Sequence, residues 1–422
     1  MEGVLPVISL VALVVAIIIS ITTSLNIGTL AIGLSLVVGH YIGGESVKDI
    51  IKGYPTSLFI MLAGVTYLFA IAQVNGTLEK ITKYAVKAVR GNVALLPIAF
   101  FFVAFGLSAM GPGQITISAL MAAPAMLLAE EVGISPLLMA LVVGNGAQAG
   151  AMSPIAPPGV ITAGLVEKMG LTGVSGILWL NMLIGHLAVA VIAYVLFGGL
   201  KLLRVKDSGQ RQTLMNIQVE PFTQAQLLTL GGIGVLIIGA LFFKLDIGLG
   251  AFLIGAILSL LKVVDEGKAI KAMPWGTIVM VTGVTVLVKL MEKIGGMDLF
   301  ASIIAQISNA WTVTLVAGFI AGLLSAYAST TGVILPAFIP LAPVLLEKVG
   351  STALMPLLSA IIVCGFLTDL SPLSTTGAVF LANAGEKTNK TKLFRDMLIW
   401  GLSMSVIGAV ISWLAFTVLR LP

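Results

Sequence analysis

Charge is scarce in this chain. Of its 422 residues only 10% are Asp, Glu, Lys or Arg, against 58% hydrophobic, and the mean hydropathy is +1.12. A soluble domain carries about 25% charged residues, so large parts of this surface must face lipid. No Asp, Glu, Lys or Arg occurs between Glu2 and Glu45. A single cysteine, Cys364, excludes an internal disulfide framework. There is no Walker motif, which leaves direct ATP hydrolysis without support. The absence of His-Glu-x-x-His and Gly-x-Ser-x-Gly argues against an intramembrane enzyme. The net charge of +5 does not indicate a nucleic-acid partner, because the Lys and Arg residues sit in short segments between apolar runs, as in the cytoplasmic loops of membrane proteins. The start, Met1-Glu2-Gly3, lacks a basic region, so the first apolar run reads as a membrane span rather than a cleaved signal peptide.

What is present is a succession of long apolar runs. A membrane helix needs about 20 apolar residues, because the hydrocarbon is about 30 Å thick and each residue rises 1.5 Å. The stretch up to Glu45 accommodates two spans with a turn near Thr22-Thr23-Ser24. Further spans are predicted at 55–75, 135–168 and 177–200, then at 226–243, 247–262, 274–291, 351–383 and 397–419. The uncharged runs 91–129 and 310–347 read as helical hairpins, the first broken at Gly111-Pro112-Gly113. The segment Leu78 to Val89, with Lys80, Lys83, Lys87 and Arg90 nearby, reads as an amphipathic helix at the membrane interface. The expected fold is an all-α membrane protein of about ten transmembrane helices plus two helical hairpins. It divides into a first repeat (1–200), a cytoplasmic linker (201–224) and a second repeat (225–422). With the N-terminus outside, the inside segments 76–92, 201–224, 262–273 and 384–396 hold 15 of the 23 Lys and Arg residues. The positive-inside rule thus places both ends outside a plasma (inner) membrane. Five spans per half make the second half an inverted copy of the first.

The two halves also correspond residue by residue at a spacing of about 218. Gly64-Val65-Thr66 matches Gly283-Val284-Thr285, and Gly76 matches Gly295. Glu130-Glu131-Val132-Gly133 matches Glu347-Lys348-Val349-Gly350. Ser153-Pro154-x-x-x-x-Gly159 matches Ser371-Pro372-x-x-x-x-Gly377. Inverted repeats with broken helices place a binding site near the midplane, where the breaks meet.

Four polar, Gly/Pro-rich segments interrupt the apolar runs: Ser108 to Gln114, Gly144 to Gly159, Ser325 to Gly332, and Gly365 to Gly377. Non-helical backbone survives at membrane depth only where it lines a cavity or is buried in protein. A helix break frees carbonyl oxygens for a cation and exposes helix N-termini to an anion. Candidate substrate-binding residues are Ser108, Gln114, Asn145, Pro157, Pro158, Ser329, Thr330, Thr331, Ser374, Thr375 and Thr376. Candidate cation ligands are Asn145, Ser153, Thr331, Thr368, Asp369 and Ser371. Each half is expected to form one cation site from its hairpin tip and broken helix, with the anion between them. Asp369 is the one carboxylate placed deep in a span, where ionised groups are functional by default, and its repeat counterpart falls near Ala151. His40 and His186 read as hydrogen-bonded packing residues. No Arg or Lys falls in the four segments, so the charge of an anion must be met by dipoles, N–H groups and bound cations.

At these segments the chain resembles the ion transporter superfamily, within it the permeases of the divalent anion:sodium symporter family and MatC-like dicarboxylate carriers. The resemblance rests on Gly150-Ala151-Met152-Ser153-Pro154-Ile155-Ala156-Pro157-Pro158, on Leu370-Ser371-Pro372-Leu373-Ser374-Thr375-Thr376-Gly377, and on Ser329-Thr330-Thr331, which is similar to a Ser-Asn-Thr signature. Gly111-Pro112-Gly113, Thr330 and Gly159 depart from the pattern of the symporters. The resemblance implies scaffold and transport domains, a homodimer, elevator movement, Na⁺ coupling (H⁺ being the alternative) and a C4-dicarboxylate substrate. Two other readings share the pattern. One is the large membrane subunit of a tripartite carrier fed by a binding protein. The other is a Na⁺/H⁺ antiporter exchanging ions at Asp369.

Overall fold

The computed structural model describes residues 4–23, 25–203, 219–243 and 245–421. The first half contains α1 (Leu5–Thr23), α2 (Ile27–Ser35, continued by a wider turn over Leu36–Ile42), α3 (Val47–Lys52), α4 (Thr56–Val74) and α5 (Thr77–Ala88). It continues with α6 (Leu95–Ala109), α7 (Gly113–Glu131), α8 (Pro136–Ala151), α9 (Pro157–Glu167) and α10 (Ser175–Leu196). The second half contains α11 (Gln224–Phe243), α12 (Ile247–Leu260), α13 (Glu266–Ala272), α14 (Trp275–Lys293) and α15 (Gly296–Gln306). It ends with α16 (Val313–Ser325), α17 (Leu335–Val349, preceded by a wide turn over Thr330–Ile334), α18 (Leu354–Thr368), α19 (Thr375–Ala382) and α20 (Lys390–Ser412). There is no strand among the described residues. Among the described residues six helices are long and apolar enough to cross a membrane, and the protein is an all-α, multi-pass membrane protein.

Each predicted span is occupied by helix, with three differences from the expected layout. The spans at 135–168 and 351–383 are each two helices separated by a short non-helical segment, so neither half-span meets a length criterion for crossing. The 16 residues of α8 reach only about 24 Å at 1.5 Å per residue. The last helix starts at Lys390 rather than 397, because the Asn389 side chain accepts the Lys392 N–H at 2.9 Å and caps two polar turns ahead of the apolar stretch. Three short helices, α3, α13 and α15, stand where connecting segments were expected. Most of the predicted linker 201–224 lies outside the described residues.

Local chemistry sets the element boundaries. Asn26 caps α2 by accepting the Gly28 N–H at 2.9 Å, and Asp246 caps α12 by accepting the Leu249 N–H at 2.8 Å. Gly76 and Gly295 precede α5 and α15 with φ of 77° and 84°, a left-handed conformation that glycine takes without steric cost. Along α5 Leu78, Thr82 and Val86 are buried, as is Val89 just beyond its end, while the lysines lie on the other side, the expected amphipathic pattern.

Two packed groups of helices follow. In one, α2 lies along α14 and α12 lies along α4, each pair joining the two halves of the chain. These contacts are backbone to backbone. A Cβ on Gly283 would lie 2.2 Å from the Gly28 carbonyl oxygen, and one on Gly64 would lie 2.1 Å from that of Gly248. Small residues that let helix backbones approach are the usual basis of helix association in lipid. Gly283→Val is therefore expected to cost about 3 kcal/mol through overpacking, read as a lowered thermal transition of the detergent-solubilised protein. A transition within a degree of wild type would contradict the contact. In the other group, α6 packs on α8 and α16 packs on α18, while α8 and α18 pack against α10 and α20 respectively. The second arm of each hairpin leans on the far side of the other half's broken helix, α7 on α19 and α17 on α9. This crossing brings all four interrupted segments to one place.

Candidate functional site

Both breaks are built the same way. Ser153 N–H donates to the Gly150 carbonyl at 3.1 Å, and Ser371 N–H donates to Thr368 at 2.9 Å. The Ser153 carbonyl accepts the Ala156 N–H and the Ser371 carbonyl accepts the Ser374 N–H, each at 3.0 Å. The chain then starts a new helix whose first turn passes directly over that serine carbonyl. A Cβ on Gly159 would lie 1.9 Å from the Ser153 oxygen, and one on Gly377 would lie 2.0 Å from the Ser371 oxygen. This is the physical content of the Ser-Pro-x-x-x-x-Gly spacing: serine and proline turn the chain, and glycine gives the next helix room to cross it.

Each hairpin tip is tied to the break of its own half. Ser153 Oγ donates to the Ala109 carbonyl at 2.6 Å. Thr330 Oγ1 donates to the Gly365 carbonyl at 3.0 Å, and Thr368 Oγ1 donates to Gly322 at 2.9 Å. Further bonds join the halves. Gln114 Nε2 in the first tip donates to Thr331 Oγ1 in the second at 2.8 Å. Gln148 Nε2 in α8 donates to Asp369 Oδ2 at 3.0 Å, and Thr376 Oγ1 reaches the same oxygen at 2.9 Å. Ser374 Oγ donates to the Asp369 carbonyl.

Asp369 is the one buried acidic residue among the described residues. Its Oδ1 has no hydrogen-bond partner, and neither has Gln148 Oε1. Both atoms accept and cannot donate when the carboxyl is ionised. Two buried acceptors without a donor, on residues bonded to one another, are a rare arrangement that calls for an explanation. Ser108 Oγ in the first tip is likewise buried without a partner.

The predicted residues are not all in one shell. Gln114 and Thr331 form one bonded pair, and Ser374 and Thr376 are bonded to Asp369 in a second group. Ser153, Thr330 and Thr368 spend their hydroxyls on bracing the tips. Ser371 Oγ accepts the Leu373 N–H at 3.3 Å, and Ser329 Oγ accepts the Gly332 N–H at 3.1 Å as an N-cap. Pro157 and Pro158 are buried at the start of α9, where the missing N–H carries no penalty. Asn145 is turned away from Asp369: its Nδ2 donates to Leu141 at 2.8 Å and its Oδ1 lies 2.7 Å from His186 Nδ1. His186 is thus a hydrogen-bonded buried residue. His40, by contrast, is exposed, with Nδ1 2.8 Å from the Glu45 carbonyl. Gln148 was the residue left out of the sequence-based set. Its signal was a polar amide inside an apolar helix one turn before a break.

A cavity of about 190 Å³ adjoins this cluster, lined by Ser20, Met280, Tyr327, Ser329, Leu373 and Thr375 among others. It is smaller than the roughly 300–1,000 Å³ of sites for drug-sized ligands. The first residues of two helical segments, Thr330–Val349 and α19, start at its wall. At the other tip, beside Pro112 and Thr116, the corresponding space is only about 10 Å³.

Fold and site together define a multi-pass membrane protein whose interrupted helices enclose a buried polar cluster with a single acid. Residues 4–151, from the start of α1 to the end of α8, match the family described as "Dicarboxylate carrier protein MatC N-terminus". A search of curated proteins finds no match.

Proposed function

We propose that this protein is a secondary active transporter that imports a small organic anion of the C4-dicarboxylate type, coupled to Na⁺, with Asp369 in the coupling site. The observation that carries the cation is the pair of buried acceptor oxygens without donors, Asp369 Oδ1 and Gln148 Oε1. A hard cation takes oxygen ligands, and one bound here would satisfy both atoms. The anion reading is supported by the likeness of residues 4–151 to a dicarboxylate carrier family. The absence of Lys and Arg from the cluster favours coupling to a cation over simple anion exchange. Substrate carboxylates would instead meet the N-terminal ends of α19 and of the Thr330–Val349 segment, at Ser329 and Thr375, where N–H groups and helix dipoles favour negative charge.

In this reading the two halves form an inverted repeat, with both chain ends outside the cell. Hairpin tips and broken helices travel as one body against the glycine-packed group of α2, α4, α12 and α14, in an elevator-type movement of a homodimer. The cavity beside Ser329 lies near the end of α1 and the start of α2, so it opens toward the cytoplasm. The lone buried acid and the carrier likeness favour this reading over an antiporter.

The test is uptake of radiolabelled succinate or malonate into proteoliposomes holding the purified protein. Accumulation driven by an inward Na⁺ gradient is expected. Accumulation that ignores Na⁺ and follows a proton gradient would replace Na⁺ by H⁺ at Asp369. No uptake of either anion under either gradient, by protein that remains monodisperse, would overturn the dicarboxylate reading.

A further inference from the structure

A wide groove lies away from the Asp369 cluster. It has a volume of about 810 Å³ and runs between the junction of α7 and α8, the end of α10 and the first half of α20. Its chemistry is graded along α20. At one end stand Lys387, Asn389 and Lys392; further along are Ile399, Trp400 and Ser403, with Phe197 opposite. Lys392 and Trp400 are eight residues apart in sequence, about 12 Å along a helix.

The charges in this groove are unequal in availability. Glu130 is engaged, since its carboxylate accepts the Lys387 N–H at 3.0 Å and the Thr388 hydroxyl at 3.1 Å. Asp396 is engaged by Arg395 at 2.9 Å. The ammonium groups of Lys387 and Lys392 are exposed and form no ion pair among the described residues. Glu130 keeps its charge and Arg395 offsets Asp396, so Lys387 and Lys392 leave the polar end one positive charge in excess. At its apolar end Trp400 is 7% exposed and its ring packs edge to face on Phe197 at 5.4 Å. The indole Nε1 of Trp400 has no hydrogen-bond partner. A buried indole N–H ordinarily finds one.

We infer that this groove binds an anionic phospholipid, with the headgroup phosphate at Lys387 and Lys392, an ester carbonyl accepting the Trp400 N–H, and an acyl chain along Ile399 and Phe197. The occupant must supply a negative end, a hydrogen-bond acceptor deeper in the groove and an apolar tail. A lipid of the surrounding bilayer carries all three, whereas a soluble phosphate carries only the first. Basic pockets between helices are a recurrent form of anionic-lipid site, and tryptophan sits by preference where apolar and polar zones of the membrane meet. The groove is lined by the ends of both hairpin 1 and α20, so a bound lipid would bridge the two halves of the chain.

The full-length protein in detergent is titrated with phosphatidylglycerol brominated in its acyl chains, or with phosphatidylcholine brominated in the same way. The difference in fluorescence quenching between wild type and Trp400→Phe isolates the signal of Trp400 from the other four tryptophans. Quenching of Trp400 is expected at a lower concentration of phosphatidylglycerol, by about fivefold for each lysine, as each basic residue near an anionic surface contributes about that factor. The Lys387→Gln/Lys392→Gln double variant is expected to lose the preference while keeping the phosphatidylcholine curve. Both lysines are exposed, so size-exclusion behaviour of the variant serves as the folding control. Equal midpoints for the two lipids in wild type would overturn the assignment, as would a preference that survives in the double variant. Displacement of the brominated lipid by inorganic phosphate alone would reassign the basic end to a soluble anion and overturn it as well.

Discussion

Asp369→Asn is expected to leave the protein folded and to reduce cation-driven anion uptake about a hundredfold. The reasoning separates the two oxygens of the carboxylate. Oδ2 accepts from Gln148 Nε2 and Thr376 Oγ1, and an asparagine carbonyl in the same place accepts both bonds. The Ser374 contact is made to the backbone carbonyl and is untouched. The local framework is therefore retained, and the thermal transition should move little. What changes is the other position. Oδ1 has no partner, and in asparagine it becomes an NH₂ group that repels a cation and cannot carry the proton of a carboxylic acid. Removing one partner from a buried ion pair costs about 3–5 kcal/mol. A loss of about 3 kcal/mol is a factor of roughly a hundred in binding. Gradient-driven uptake in proteoliposomes, measured with thermal stability on the same preparation, checks both halves. Full uptake by a folded Asp369→Asn protein would remove Asp369 from the coupling step. A variant that unfolds would instead make the residue structural.

The components of this site were legible in the sequence, whereas its connections were not. Ser153-Pro154-x-x-x-x-Gly159 and Ser371-Pro372-x-x-x-x-Gly377 announce interruptions because proline and glycine act locally, on the backbone of their own turn. The placement of Asp369 inside an apolar run is likewise a one-dimensional signal. The bond from Gln148 to Asp369 spans 221 positions, and that from Gln114 to Thr331 spans 217. Both depend on how one half seats on the other, which no local pattern encodes. Asn145 and Gln148 illustrate the consequence. Both are buried amides on α8, three residues apart, and sequence offered no ground for choosing between them. Helix rotation turns Asn145 to His186 on α10 and Gln148 to Asp369. The pairing of α2 with α14 and α12 with α4 was hidden for another reason. Gly28, Gly64, Gly248 and Gly283 are four of 47 glycines, and only the three-dimensional contact distinguishes a glycine that admits a neighbouring backbone from one that faces open space, such as Gly33 or Gly164.

Gly377→Val is expected to have an effect comparable in size to loss of Asp369, by a different route. The added Cβ would lie 2.0 Å from the Ser371 carbonyl oxygen and 2.5 Å from its carbon. These are backbone atoms inside a turn already fixed by the Ser374 N–H to Ser371 bond, so they cannot rotate away as a flexible side chain would. Either α19 lifts off the break or the break itself reopens. In both cases Thr376, the preceding residue, is carried off Asp369 Oδ2, and the helix start at Thr375 moves relative to the cavity it lines. Overpacking of this kind costs about 3 kcal/mol; the variant is expected to show a lowered thermal transition together with loss of uptake. Gly159→Val places a Cβ 1.9 Å from the Ser153 oxygen and should destabilise to the same degree, but Asp369 lies in the other break. If α9 serves mainly to hold the first tip, the surviving folded fraction of Gly159→Val retains cation dependence, whereas that of Gly377→Val does not. Comparing uptake per folded protein for the two variants tests whether the coupling chemistry is concentrated in the second break. Equal loss of cation dependence in both would mean that the two breaks contribute alike.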